Sequence, residues 1–147
     1  MKKVMLGKSL LKIDDQDAHF LSTHKLFVHS RGYVTGYRIG RRSEGYELLH
    51  RMIVRPGPGF IVDHADGDKM NNTRRNLRVC TYSQNNANKR LDRTVRGVRK
   101  KKNKWNARIK VRGTDKYLGS FESRSEAIQA YNVAAFSAFG DFAVLNV

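Results

Sequence analysis

The chain of 147 residues has one cysteine, two prolines and one tryptophan. With Cys80 alone, no intramolecular disulfide and no cysteine-based zinc site can form, and a reducing compartment is the natural setting. Its apolar surroundings, "NLRVCTY", mark it as a small buried residue. No run of 18 apolar residues occurs, which excludes a helix crossing a membrane. The opening "MKKVMLGKSLLKIDD" has lysines and some apolar residues, but Lys8 and Lys12 interrupt them and no small-residue cleavage site follows, so no signal peptide is expected. Acid is scarce: 13 Asp and Glu face 29 Lys and Arg, a net charge of +16. That exceeds the magnitude of about 2–8 usual for a small soluble domain, and it points to a polyanionic partner, nucleic acid first. The excess runs along the whole chain, at +4 over residues 1–49, +5 over 50–90 and +7 over 91–147.

The length suits one ordinary domain or two very small ones. Residues 25–54 read as strands: "KLFVHS", "YVTGYRI" and "YELLHRMIV" are rich in β-branched or aromatic residues and are separated by "RG" and "GRRSEG". "RPGPG" breaks the pattern. "FIVDH" is then a short strand, "ADGDKMNNTRRN" a polar loop, "LRVCT" a returning strand and "TYSQNNANKRL" a helix with Thr81 as N-cap. A boundary falls near Leu91 to Thr94, inside the most basic stretch. Beyond it, "GVRKK", "WNARIKVRG" and "DKYLGSF" read as three strands. Trp105, Ala107, Ile109 and Val111 point one way, and Asn106, Arg108, Lys110 and Arg112 the other. "SRSEAIQAYNVAAFSAFG" is a helix with a Ser123–Glu126 capping box, a Gly140 stop, and a Tyr131–Ala135–Phe139 row to pack on the sheet. The fold class is therefore α+β.

In a basic chain, "VDHADGDKMNN" places three Asp within six residues. Hydrolysis of a phosphodiester needs a base near neutral pKa and a cation for the phosphate charge, and a hard cation takes oxygen ligands. "DH" offers both groups from one strand end. Neighbouring strand side chains face opposite ways, so a bend or bulge must bring Asp63 and His64 to one site. Taken singly, "DGD" is more often a turn than a site, and Asp66 and Asp68 are read as turn formers, with Asn72 closing the loop. His19, His24 and His29 lie five apart and are not expected to share a metal.

"LHRMIV…VDHADGDKMNNTRRNLRVCTYSQNNANKR", with its lead-in from Leu10, resembles the HNH endonucleases of the phage and intron-encoded type, with a ββα-metal site. The resemblance covers about residues 10–90. It implies that Asp63 is a metal ligand, that His64 is the general base, that Asn76 orients His64, and that Asn85 is the second metal ligand. Asn86 and Asn88 are rivals for that last role. His50 would serve either packing or a phosphate contact. The metal would be magnesium, with manganese suiting the same oxygen ligands.

"VRGVR", "KWNARIKV", "YLGSF", "SEAIQAYNVAAF", "FG" and "LN" resemble the Apetala-two/ethylene-response-factor (ERF) DNA-binding domain, in which a sheet enters the major groove. Its DNA-contacting positions fall here on Arg96, Arg99, Lys101, Arg108, Lys110 and Tyr117, and alternation adds Arg112. Lys100, Lys102 and Lys104 would meet phosphate, unless the run is merely a solvated basic loop. Trp105 is read as core. Arg108, Tyr117 and Lys101 stand where the plant pattern tends to have an acid, Trp and Arg, so the plant target sequence does not carry over.

The expectation is an HNH endonuclease domain over residues 1–91, with its ββα-metal core at about 60–90, and an Apetala-two/ERF-like domain over 92–147. The protein would be a nicking or homing enzyme acting on double-stranded DNA, a monomer or weak dimer in the cytoplasm, the host's if phage-encoded. The alternative is a DNA-binding regulator with a degenerate nuclease fold. An RNA-binding protein is disfavoured by the lack of an aromatic pair on a four-stranded sheet.

Overall fold

The structure, a computed structural model, describes residues 1–88 and 95–147. It divides into two compact units, Met1–Thr81 and Tyr82–Val147. The boundary expected near Leu91 to Thr94 lies outside the described residues.

The first unit opens with a hairpin, β1 (Lys2–Leu6) and β2 (Ser9–Ile13), reversed at Gly7 with φ of 62°. A short helix α1 (Phe20–Thr23) leads into β3 (His24–Val28), β4 (Val34–Arg38) and β5 (Glu47–Leu48), an antiparallel sheet with β4 central. "LHRMIV" then departs from the strand expected for it and forms helix α2 (Leu49–Val54). Leu49, Met52 and Ile53 repeat at i, i+3 and i+4, and all three are buried. Their helical period outweighs the β-branching of the last two residues.

Strands β6 (Ile61–His64) and β8 (Leu77–Cys80) form an antiparallel pair that presents the loop between them at one end. That loop contains a feature the sequence did not announce: β7 (Asn71–Asn72) pairs in parallel with β2, Lys12 against Asn71 and Ile13 against Asn72. Arg74 adds a second anchor, donating from Nε and Nη2 to the two oxygens of the buried Asp17 at 2.8 and 2.7 Å, while its backbone N–H donates to Asp14. Leu11, Ile13, Val34, Leu49 and Val62 centre the core beneath.

In the second unit, helix α3 (Tyr82–Asn88) begins directly after Thr81. It was expected to complete the strand–loop–strand–helix unit, yet its Ala87 is buried in the second core. Three strands follow, β9 (Val98–Lys101), β10 (Lys104–Val111) and β11 (Thr114–Phe121), antiparallel with β10 central. Helix α4 (Arg124–Phe139) packs on this sheet through Ala127, Tyr131, Ala135 and Phe139. Both halves of its capping box are made, Ser123 Oγ accepting from the Glu126 N–H and Glu126 from the Ser123 N–H. Gly97 has φ of 65°, and a Cβ there would lie 2.1 Å from the Arg108 carbonyl and 2.5 Å from the Tyr131 ring. Only glycine fits at this crossing of chain, sheet and helix.

No helix among the described residues is long and apolar enough to cross a membrane.

Candidate active site

β6 ends on Asp63 and His64, both buried, at 7% and 4% exposure. The ladder with β8 runs through both without a register shift, Asp63 opposite Arg78 and His64 opposite Leu77. The bend or bulge expected to bring the two side chains to one site is therefore absent, and they leave opposite faces of the strand. The chain turns only after His64, where the Gly67 N–H bonds back to the His64 carbonyl and the Ala65 N–H donates to the Asn76 carbonyl. The two side chains have separate neighbours. Arg78 donates from Nη2 to Asp63 Oδ2 at 2.6 Å. The His64 ring meets His50 edge to face, with centroids 5.1 Å apart, and Tyr33 lies 5.4 Å from His50 and 6.0 Å from His64. Lys69 Nζ sits 4.4 Å over the Tyr33 ring.

Burial is the main force on His64 and lowers its pKa. The facing Asn72 amide and the carboxylates of Asp63, Asp66 and Asp68 pull the other way, Asn72 without reaching full hydrogen-bond geometry. Burial, aided by His64 and Arg51, pushes His50 down to about 4. Both rings are therefore neutral near pH 7, and a neutral imidazole is the form that can take a proton from water. Of the two roles left open for His50, packing is the one its setting matches: it is 4% exposed and wedged between two rings.

The loop is organised by its own acids and amides. Asp66 Oδ1 accepts from the Asp68 N–H, and Asp68 Oδ1 accepts from the Met70 N–H, the short-range turn bonds typical of Asx residues. Asn76 was expected to orient His64. Its side chain instead accepts from the Asp66 N–H at 3.0 Å and donates to the Asn71 carbonyl at 2.8 Å. It braces the loop that His64 begins, and Asn72 is the amide beside the imidazole. Asn85, with its rivals Asn86 and Asn88, lies on α3 in the second unit.

Among the described residues, no three His, Cys, Asp or Glu side chains gather into a metal cage. The hard oxygen donors at the strand end itself are those of the Asp63 carboxylate. Such a small set of hard oxygens fits a cation that keeps water and substrate phosphate among its ligands, as magnesium does. It does not fit a closed structural zinc site.

On the second unit, Arg108 lies opposite Tyr117, Lys110 opposite Asp115, Arg99 opposite Asn106 and Lys101 opposite Lys104. Cross-strand partners share a face, so Arg99, Lys101, Arg108, Lys110 and Tyr117 share the face turned away from α4, all exposed. Two of the expected DNA-contacting residues do not join them. Arg96 donates to the Asn86 and Ala87 carbonyls at the end of α3, at 3.4 and 2.7 Å. Arg112, expected on the strand, lies in the two-residue turn between β10 and β11 with φ of 50°, its N–H directed to Ser83 Oγ. The Arg112–Gly113 pair takes the left-handed turn that tight hairpins require. Trp105, read as core, is half-buried at the core's edge with Lys100 Nζ 5.9 Å from its ring.

Two residues of the site escaped sequence reading. Arg78 could have been found from the hairpin register, which sets it across from Asp63. Tyr33 reaches the site only through long-range packing and carries no local signal.

A buried imidazole and a buried carboxylate, on successive residues at a strand end in a strongly basic chain, are compatible with phosphodiester hydrolysis. Comparison with known proteins gives the family. A family model described as HNH endonuclease matches residues 47–87. An uncharacterised HNH endonuclease of Acanthamoeba polyphaga mimivirus is 31% identical over 129 residues, covering 86% of this chain and 68% of that protein. No solved structure matches. The chain belongs to the HNH endonuclease family and is a hydrolase of DNA phosphodiester bonds.

Proposed function

We propose that the protein is a metal-dependent endonuclease of the nicking or homing type, with its own DNA-reading unit. The observation that carries the catalytic half is His64, buried and neutral at the end of β6, one residue from the carboxylate of Asp63. His64 accepts the proton of the attacking water. Its ring is held by His50 and Tyr33, and the loop it begins is held by Asn76. Asp63, oriented by Arg78, is one metal ligand, and the resemblance assigns the second to Asn85. A hard divalent cation bound there would neutralise phosphate charge and help the leaving oxygen depart. One such site per chain makes cutting of a single strand the natural event.

The second unit is read as an Apetala-two/ERF-like DNA-binding domain. Support comes from the exposed face that Arg99, Lys101, Arg108, Lys110 and Tyr117 share, since Arg and Lys can donate to guanine O6 and N7. Arg96 and Arg112 are left outside this reading face.

Supercoiled plasmid incubated with the protein tests the metal assignment. Nicked circles should form with magnesium or manganese and not with EDTA. Asn85→Ala should weaken magnesium binding, measured by calorimetry on the free protein. Cleavage that persists in EDTA, or unchanged metal affinity in Asn85→Ala, would defeat the respective assignment.

A further inference from the structure

Helix α2 has two working sides. His50 faces the active site, while its neighbours Arg51 and Met52, with Arg55 at the helix end, line a cleft of 560 Å³ on the first unit. The cleft is completed by His19, Phe20 and Thr23 from the α1 region, His24 of β3, Arg38 of β4 and Glu47 of β5. Phe20 and Met52 are buried, giving an apolar floor under a cationic rim. Its volume is that of a small-ligand pocket.

The charge balance is one-sided. Three guanidiniums line the cleft against one carboxylate, Glu47. Among the described residues none of Arg38, Arg51 and Arg55 makes an ion pair, although other arginines of this unit, Arg41, Arg74 and Arg78, each do. His24 feels the same field: burial first, then Arg38 and His19, lower its pKa. Arg55 also occupies a left-handed position, φ 50° and ψ 63°, its N–H closing α2 on the Arg51 carbonyl. Glycine or asparagine is the usual residue there. Arg55 lines the cleft from this position. An adjoining depression shares His24, Arg38, Glu47 and Met52 and adds Tyr37 and Tyr46. These rings pack edge to face at 5.6 Å, and Tyr46 is 56% exposed.

We propose that this cleft is a phosphate seat for the DNA strand, separate from the scissile position: Arg38, Arg51 and Arg55 hold a backbone phosphodiester on the far side of the helix that supports His64. The ligand chemistry is a phosphate oxyanion, and its source is the polymer. Unpaired guanidiniums suit phosphate because their planar forks can donate two parallel hydrogen bonds. The proposal rests on the family's action on DNA, but not on the assignment of His64, the metal or the second unit's reading face.

Binding in EDTA separates the two questions, since no cleavage is then read. The full chain, wild type and Arg38→Gln/Arg51→Gln/Arg55→Gln, is titrated against a fluorescent duplex at several salt concentrations. The triple variant should bind roughly tenfold or more weakly, and the slope of log K against log salt should shrink by about 2–3. Triple replacement by lysine should recover most of the slope, which guards against misfolding as the cause. Glu47→Gln should tighten binding. An unchanged slope in the glutamine variant overturns the proposal. So does a loss of inorganic phosphate binding with duplex affinity intact, which would make the cleft a site for free phosphate.

Discussion

Asp63 and His64 are 7% and 4% exposed, whereas Tyr117 on the β9–β10–β11 sheet is 57% exposed and the Arg and Lys around it are solvent-facing. The first region concentrates a few polar groups, removes them from water and connects the surrounding loop by hydrogen bonds at both ends. The second spreads charge over a regular surface and connects almost none of it: Lys104–Glu122 is the one ion pair among the described residues of that unit. The difference matches what the role proposed for each would demand. A proton acceptor must hold one geometry and one protonation state, which burial and fixed neighbours supply. A polyanion-binding face must remain hydrated and adaptable, because its affinity comes largely from releasing counterions.

One substitution, read by two measurements, should split these roles. His64→Ala should lower the cleavage rate by about 10²- to 10⁴-fold, the usual worth of a positioned general base. Duplex affinity in EDTA should stay within about twofold, because the exposed cations that dominate affinity are untouched. Single-turnover rates on a nicked-plasmid assay, beside anisotropy for binding, give both numbers. A variant that binds poorly but cuts at the wild-type rate would show that the buried site works as a binding surface and would dissolve the contrast.

The contrast also predicts where pH acts. His50 titrates near its ordinary value of 6.5 when unfolded and at about 4 when folded. Between those values the unfolded chain binds more protons, so acid favours unfolding. The stability that His50 contributes is complete above about pH 6.5 and is lost as pH falls toward 4, by about 3 kcal/mol in all. His64 shifts in the same direction. The exposed face contains no such group. Hydrogen exchange of the α2 and β6 amides should therefore speed up on acidification after correction for intrinsic rates. The β10 amides should change far less, and His50→Gln should remove part of the effect. Equal acid sensitivity in both units would contradict it.

Legibility divided along similar lines. The placement of Asp63 and His64 at the end of a strand could be read because a short apolar run before a polar loop is a local pattern, and the loop acids because an Asx turn is made within three residues. The outer face of β10 followed from strict alternation, and the inner row of α4 from its i, i+4 spacing. What stayed hidden was tertiary. "LHRMIV" could be strand or helix by composition, and burial of Leu49, Met52 and Ile53 on one side decided it. Arg96 looked like part of a DNA face because nothing local shows that the end of α3 offers it two carbonyls. The His50–Tyr33–His64 cluster draws on three elements distant in sequence, so no spacing rule could assemble it. Asn76 was placed in the loop, but its burial and the target of its amide depended on how the loop turned.

The smallest predicted effect bears on the exposed face, and it asks whether that face reads sequence or only holds charge. Arg108 Cζ lies 5.6 Å from the Tyr117 ring, on the strand pair at the sheet's edge. A guanidinium stacked on an aromatic ring loses less freedom when it forms two hydrogen bonds to one base than a free lysine would. Arg108→Ala should thus cost about 1–3 kcal/mol on preferred duplexes and little on others, flattening preference at one base position. Tyr117→Ala should produce a weaker version of the same flattening. Selection from a randomised duplex pool, compared between wild type and variants, reads this directly. If both variants weaken binding equally across all sequences, Arg108 touches phosphate. Specificity would then have to come from elsewhere, and the second unit would differ from the basic cleft of the first only in shape.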